Sequence, residues 1–359
     1  MMHASGERAG AATREADGAT VVFAETGEGP IRRRWRVRRA LTAAILAFTC
    51  GSVLGACVTT RPPATPELNA AREGGEDAAH TRNEVLAPPA PEAPLQELPR
   101  GGRSLFPDYR LVGFCGTPGA PALGSLQGNL PARAKALEQQ AAKYSSNRKL
   151  LPVFELIAVV VQSGAGPDGK FRRRVDSRIV DYYLRMAREA KALLLLNIQP
   201  GQSDFMTEVK SFESYLREPD VGVALDPEWA MKPKQTPGRF FGQTDGETIN
   251  DVATYLAGLV KEGNLPEKAL VFHQVNRGVL KDEPELQPIA GVAFIKSVDG
   301  LGPVHSKIET YDYLMLTMKR GVHPGFKLFF DEDTRNGNRI MTPKEVLALS
   351  PQPEYVMYE

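Results

Sequence analysis

What most constrains the fold of this chain is a recurrence. Eight short apolar runs, at residues 109–115, 151–157, 192–198, 221–225, 269–273, 292–295, 326–330 and 355–358, are separated by longer segments of helical character. Runs that are apolar at consecutive rather than alternate positions are the mark of strands buried on both faces, as in a parallel sheet covered by helices. The intervening segments supply those helices. Residues 131–144 carry Ala and Leu at helical spacing, and Asp176 can cap 177–190, where Ile179, Tyr182, Tyr183 and Met186 recur at three and four. Segments 205–216, 247–261 and 307–320 continue the pattern, and Thr342-Pro-Lys-Glu345 is a capping box with proline at the first helical position, opening 343–348.

Strand–helix repetition implies parallel pairing with right-handed crossovers, and eight strands favour closure over an open sheet. The expected architecture is α/β, a single (β/α)8 TIM-type barrel. Two departures are visible. The fifth crossover, between 273 and 292, has no clear helical period, and no regular eighth helix follows the last run. Part of the segment before Tyr109 is the candidate to cover that gap.

Three regions precede or make up this pattern. Residues 1–56 contain an Ala/Gly-rich stretch, six arginines between Arg32 and Arg39, a short apolar segment from Ala40 to Leu54, and small residues before a cysteine. A basic region, a short apolar region and small residues describe a signal peptide rather than a membrane span, which needs about 20 apolar residues. From 57 to 102 the chain is rich in Pro, Ala and Glu, a composition that buries too little to offset its ordering entropy and so reads as a tether. Residues 103–359 remain, close to the roughly 250 of one such barrel.

Charge and cysteines narrow the function classes. The whole chain has net charge +1, but residues 1–56 hold eight Lys/Arg and five Asp/Glu, so the remainder is slightly acidic. No basic excess argues for nucleic acid. Of three cysteines only Cys115 lies in the body, which removes an internal disulfide. No clustered ligand spacing supports a metal, although Asp226, Glu228, His273 and Asp331 would be the set to draw on, so neither metal nor cofactor is expected.

In a barrel of this kind chemistry collects where the strands leave the core at their C-terminal ends. The fourth run, Val221-Gly-Val-Ala-Leu225, breaks abruptly into Asp226-Pro-Glu-Trp229. Glu155, inside the second run, and His273, at the end of the fifth, are polar groups among apolar neighbours, which must be paired or functional. Gln199, Gln274 and the cluster Asp331-Glu332-Asp333 stand at further strand ends. Asp226 and Glu228, with Asp331 or Glu332 opposite, are the candidate catalytic carboxylates; Glu155, Gln199, Trp229, His273 and Gln274 are the candidate substrate contacts. The alternative is that turn chemistry alone accounts for the Asp-Pro pair, and a solvated loop for residues 331–333. Phe240, Phe241 and the Gly/Lys/Arg-rich loop 163–174 could wall the cleft.

Three resemblances attach to these residues. Leu54-Gly-Ala-Cys57 resembles the lipobox of bacterial lipoproteins, which implies that Cys57 is lipidated and anchors the protein to the outer face of a membrane. Gly222, Asp226 and Glu228 match three positions of the D-G-x-D-x-D-x-E motif on the fourth strand of chitinase-type, family-eighteen glycosidases; Val221 and Ala224 replace two of its aspartates. That partial match implies Glu228 as general acid and Asp226 as the group that orients substrate. A glycosidase pattern with its acid on strand four and its nucleophile on strand seven pairs Glu228 with Asp331 or Glu332. The region as a whole is similar to uncharacterised bacterial secreted barrel lipoproteins, through 192–201, 225–229 and 325–331. The expected function is a membrane-anchored, extracytoplasmic glycan hydrolase using paired carboxylates. The alternative is a non-catalytic surface lipoprotein that binds glycan or peptide.

Overall fold

The computed structural model describes residues 95–359. The expected signal peptide (1–56), Cys57 and the tether as far as residue 94 lie outside the described residues. Eight strands form a closed parallel barrel: β1 Tyr109–Gly116, β2 Lys149–Val161, β3 Leu193–Ile198, β4 Val221–Leu225, β5 Lys268–Gln274, β6 Val292–Val298, β7 Val322–Leu328 and β8 Tyr355–Tyr358. Closure is explicit in the pairing, because β1 lies parallel to both β2 and β8 (Leu111 opposite Leu151 on one side and Tyr355 on the other). The expected α/β barrel is what the chain forms.

Seven α-helices fall between the strands: α1 Leu130–Ala142, α2 Ser177–Glu189, α3 Phe205–Lys210, α4 Glu213–Leu216, α5 Gly246–Gly263, α6 Val304–Met315 and α7 Pro343–Leu347. Side chains begin them where the sequence foresaw it. Asp176 accepts from Arg178 N at 2.9 Å, and Thr342 and Glu345 close a reciprocal capping box, each such cap being worth about 1 kcal/mol. The segment expected as one helix over 205–216 is two. The Ser211 hydroxyl donates to Glu208 O at 2.6 Å, a local side-chain bond that competes with helix continuation. As expected, the fifth crossover holds short 3-10 turns at Arg277–Val279 and Glu283–Glu285 rather than an α-helix.

The seventh strand differs from expectation. It begins at Val322, not 326, and takes in Pro324 and Gly325, a pair that reads as a turn. Proline offers no donor, but its carbonyl accepts from Glu354 N at 2.8 Å, and a Cβ at Gly325 would stand 3.0 Å from Lys296 O. Tertiary pairing thus overrides local turn preference.

Burial separates into two layers. Between strands and helices lies one apolar cluster that includes Phe154, Leu196, Val223, Phe272, Phe294 and Phe326. The lumen holds another, with Leu111, Val153, Leu195, Val271, Ile295 and Met357, and it is joined by Leu98 and Leu105, which are 3% and 0% exposed. The packed chain therefore starts upstream of the boundary expected at Arg103. The segment before Tyr109 seals the lumen beside that residue, whose hydroxyl donates to Arg100 O at 2.7 Å, instead of standing in for an eighth helix.

Candidate active site at the barrel mouth

Strand alternation decides which polar residues enter the lumen. From β2 comes Glu155, from β3 Asn197, from the end of β4 Asp226, from β5 His273, from β6 Ser297 and then Asp299, from β7 Lys327, and from β8 Tyr355; Glu359 follows that strand. All are buried except Glu359, which keeps a small exposed fraction. They make one connected network. Glu155 accepts from Asn197 Nδ2 at 3.0 Å and from the Tyr355 hydroxyl. The same Asn197 amide donates to Asp226 Oδ1 at 3.1 Å, and Gln199 Nε2 donates to Asp226 Oδ2 at 3.0 Å. The two carboxylates are neighbours that share a donor.

His273 is the centre. Its Nδ1 lies 2.9 Å from Asp299 Oδ2, and its Nε2 lies 3.2 Å from Glu155 Oε1 and 3.9 Å from Asp226 Oδ1. The Nε2 contact is close enough for charge pairing but is off line for a hydrogen bond. Carboxylates against both ring nitrogens outweigh burial and hold the imidazole pKa well above its ordinary value, so it is a cation. Burial alone would raise Glu155 and Asp299, but the His273 charge, with Lys327 behind it, holds both near about 2. Lys327 completes the chain, 3.4 Å from Asp299 and 2.6 Å from Glu359. Alternating charges in this order compensate one another, which is the condition for burying them.

Glu228 is different. It sits on the 3-10 turn Pro227–Trp229 immediately after β4, is 7% exposed, and its Oε2 has no hydrogen-bond partner. Burial, then the charges of Asp226 and Asp299, push its carboxyl well above the usual range. Asp226 is also raised, by burial first and then by Glu155, although the charges of His273 and Lys327 pull it back. Glu228, whose carboxyl is pushed well up, thus stands near Glu155 and Asp299, whose carboxyls are held low. Asn197 Oδ1 and both side-chain polar atoms of Gln274 also lack partners. Such atoms are costly unless something else satisfies them.

Gly222, the other motif position, has a packing reason. A Cβ there would come 2.7 Å from Ala269 O and 2.8 Å from Leu195 Cδ2, so β4 needs glycine to close against its neighbours.

Of the residues expected from sequence, Glu155, Gln199, Asp226 and His273 share the network, Glu228 stands beside it, Gln274 is buried at the end of β5, and Trp229 is half-buried on the Glu228 turn. Asp331 and Glu332 are not part of it. Asp331 is exposed, and Glu332 pairs with Arg335 at 2.9 Å. The carboxylate of that cluster which is buried, Asp333, instead accepts from Lys307 at 2.9 Å and from Phe329 N. Likewise Lys296, next to Ser297 on β6, turns outward to Glu283 at 2.6 Å, leaving Asp299 to serve the lumen. Sequence reading missed Lys327 and Tyr355 as members. Their signal was a polar group at an inward position of a barrel strand, which needed the correct strand register to be seen. Among the described residues no group of three His, Cys, Asp or Glu side chains is placed to hold a metal ion.

No protein-family model matches the sequence, and none of the curated proteins matches it. Fold and site together define a (β/α)8-barrel protein with a charged lumen and a buried acid at its C-terminal mouth.

Proposed function

We propose that this protein is a glycan hydrolase of glycosidase type, held outside the cytoplasm by a signal peptide and a lipid on Cys57. The observation that carries the reading is Glu228, a buried carboxylic acid with an unpartnered oxygen and a raised pKa, among other carboxylates at the mouth of a barrel. A glycosidic oxygen is a poor leaving group until it is protonated, and a carboxyl kept neutral by burial supplies that proton. Asp226, fixed by Asn197 and Gln199, is the carboxylate that stabilises positive charge at the sugar carbon or orients the substrate. That role falls to Asp226 rather than to Asp331 or Glu332 because those two lie outside the buried network. Trp229, half-buried on the same turn, offers a ring face to a sugar. Glu155 and His273 act indirectly, by holding Asn197 and the charge balance around Asp226.

Glu228→Gln keeps the shape and removes the proton. Hydrolysis of any glycan the wild type cleaves should fall about 100- to 10,000-fold with binding retained. Unchanged turnover sinks the assignment.

A second reading, a surface lipoprotein that binds glycan or peptide without cleaving it, draws on the self-compensation of the lumen charges, which leaves few groups free for chemistry. Calorimetric binding of an oligosaccharide, with no product after prolonged incubation, separates it from the first.

A further inference from the structure

Two segments of the mouth carry a charge that the lumen does not. Residues 163–174 leave β2 as a hairpin, returning through Arg172–Arg174 antiparallel to the end of that strand. Residues 230–243 leave the Glu228 turn and come back to it: Gly242 N donates to Glu228 O at 2.6 Å, and Gln243 N donates to Ala230 O at 2.9 Å. This second loop is thus hung on the backbone of the candidate acid. Gln202 ties the two segments together, donating from its backbone to Lys170 O at 2.7 Å and from its side chain to Gln235 O at 2.8 Å.

Within this rim Lys170, Arg173, Lys232, Lys234 and Arg239 are all exposed. Among the described residues none of the five forms an ion pair with a carboxylate. The one acidic residue in the two segments, Asp168, is taken by Arg172 at 2.6 Å. Buried Glu208 is taken by Arg172 and Arg174, at 2.8 and 2.7 Å. Phe240, next to Arg239, is 52% exposed. Four of these cations have no carboxylate on them and Lys170 has only the nearby Asp204, whereas the floor charges pair with one another, so the field at the mouth gathers anions at the rim. A ligand suited to both parts carries its negative charge on substituents and presents a neutral bond to Glu228.

We propose that the substrate is an anionic glycan, a chain whose sugar units bear carboxylate or phosphate groups. The rim of Lys170, Arg173, Lys232, Lys234 and Arg239 holds those groups, and Phe240 stacks on a sugar face. This deepens, and rests on, the hydrolase reading of Glu228. Carboxylate and phosphate meet the rim through the same charge-assisted bonds, and the choice between them is left to measurement.

The test uses the full chain carrying Glu228→Gln, so that bound probes persist, and follows binding by calorimetry to tetragalacturonate, to a phosphorylated mannotetraose and to neutral mannotetraose. At low salt at least one anionic probe should bind about tenfold or more tighter than the neutral one, and the advantage should shrink in about 0.5 M salt as the exposed charges are screened. Adding Lys232→Ser, Lys234→Ser and Arg239→Ser together should abolish the preference without lowering the melting temperature. Phe240→Ala should weaken all probes that bind. Equal binding of the neutral probe, a preference that survives the triple change, or failure of both anionic probes overturns the inference. So does binding confined to phosphatidylglycerol vesicles, which would make the rim a membrane contact. Wild-type chain that binds an anionic probe but releases no product removes the hydrolase and leaves the anionic ligand. Wild-type cleavage of the neutral probe without preference does the reverse.

Discussion

Glu228 and His273 are both buried ionisable groups, yet their surroundings drive them to opposite roles. His273 has a carboxylate on each side and stays charged; Glu228 has an unpartnered oxygen and stays protonated. Asp226 couples the two. Removing its charge with Asp226→Asn takes away the second-largest influence raising Glu228, so the alkaline limb of any hydrolysis profile should move to lower pH. A pH–rate series on the wild type and this variant checks it, and an unmoved limb argues against Glu228 as the acid. The pH dependence of stability follows from the same groups. Glu155 and Asp299, held near about 2, contribute stability that is complete above the unfolded carboxylate value of about 4 and is lost as pH falls from there toward 2. His273, raised in the folded state, contributes fully below about 6.5 and loses that contribution only as pH rises through its elevated folded value. His273→Ala leaves Glu155 and Asp299 buried without their cation and should cost about 3–5 kcal/mol, measured by denaturant unfolding at neutral pH.

Elements place these residues, and some elements hold others in place. Glu208 on α3 is wholly buried and bonded to Arg172 and Arg174, so the short third helix latches the hairpin that borders the mouth. Glu208→Ala leaves two arginines near an apolar site and should release residues 163–174. Hydrogen exchange of that segment should speed up while exchange in β3 and β4 stays slow; uniform loosening of the barrel would contradict a local latch. Much at this scale was readable beforehand. The caps at Asp176 and Thr342 and the apolar runs of β3 and β4 are local signals, and local signals survive in a sequence. The start of β7 was not readable, because Pro324 and Gly325 favour a turn and only the neighbouring strands β6 and β8 make them extended.

For the whole molecule, closure of the sheet matters most. It brings β1 against β8 and converts inward positions of eight distant segments into one lumen, while Leu98 and Leu105 fill its lower part. Residues 96–102 are thus part of the folded unit, although their composition resembles the tether before them. A chain begun at Arg103 should melt at lower temperature than one begun at Gln96, since losing buried Leu98 alone costs about 2 kcal/mol or more. Equal melting temperatures would show that the seal does not stabilise the barrel.

By itself the sequence determined the repetition of strand and helix, and with it the barrel. It also pointed to Glu155, Gln199, Asp226, Glu228 and His273, because an ionisable or amide group at the end of an apolar run stands out against its neighbours. Only the tertiary structure decided which carboxylates meet. Asp331 and Glu332 have the right position in the chain and the wrong side of the loop, whereas Asp299, Lys327, Tyr355 and Glu359 complete the network. The physical reason is that hydrophobic periodicity is encoded locally, over a few residues, while the compensation of buried charge depends on which strands lie side by side and in what register.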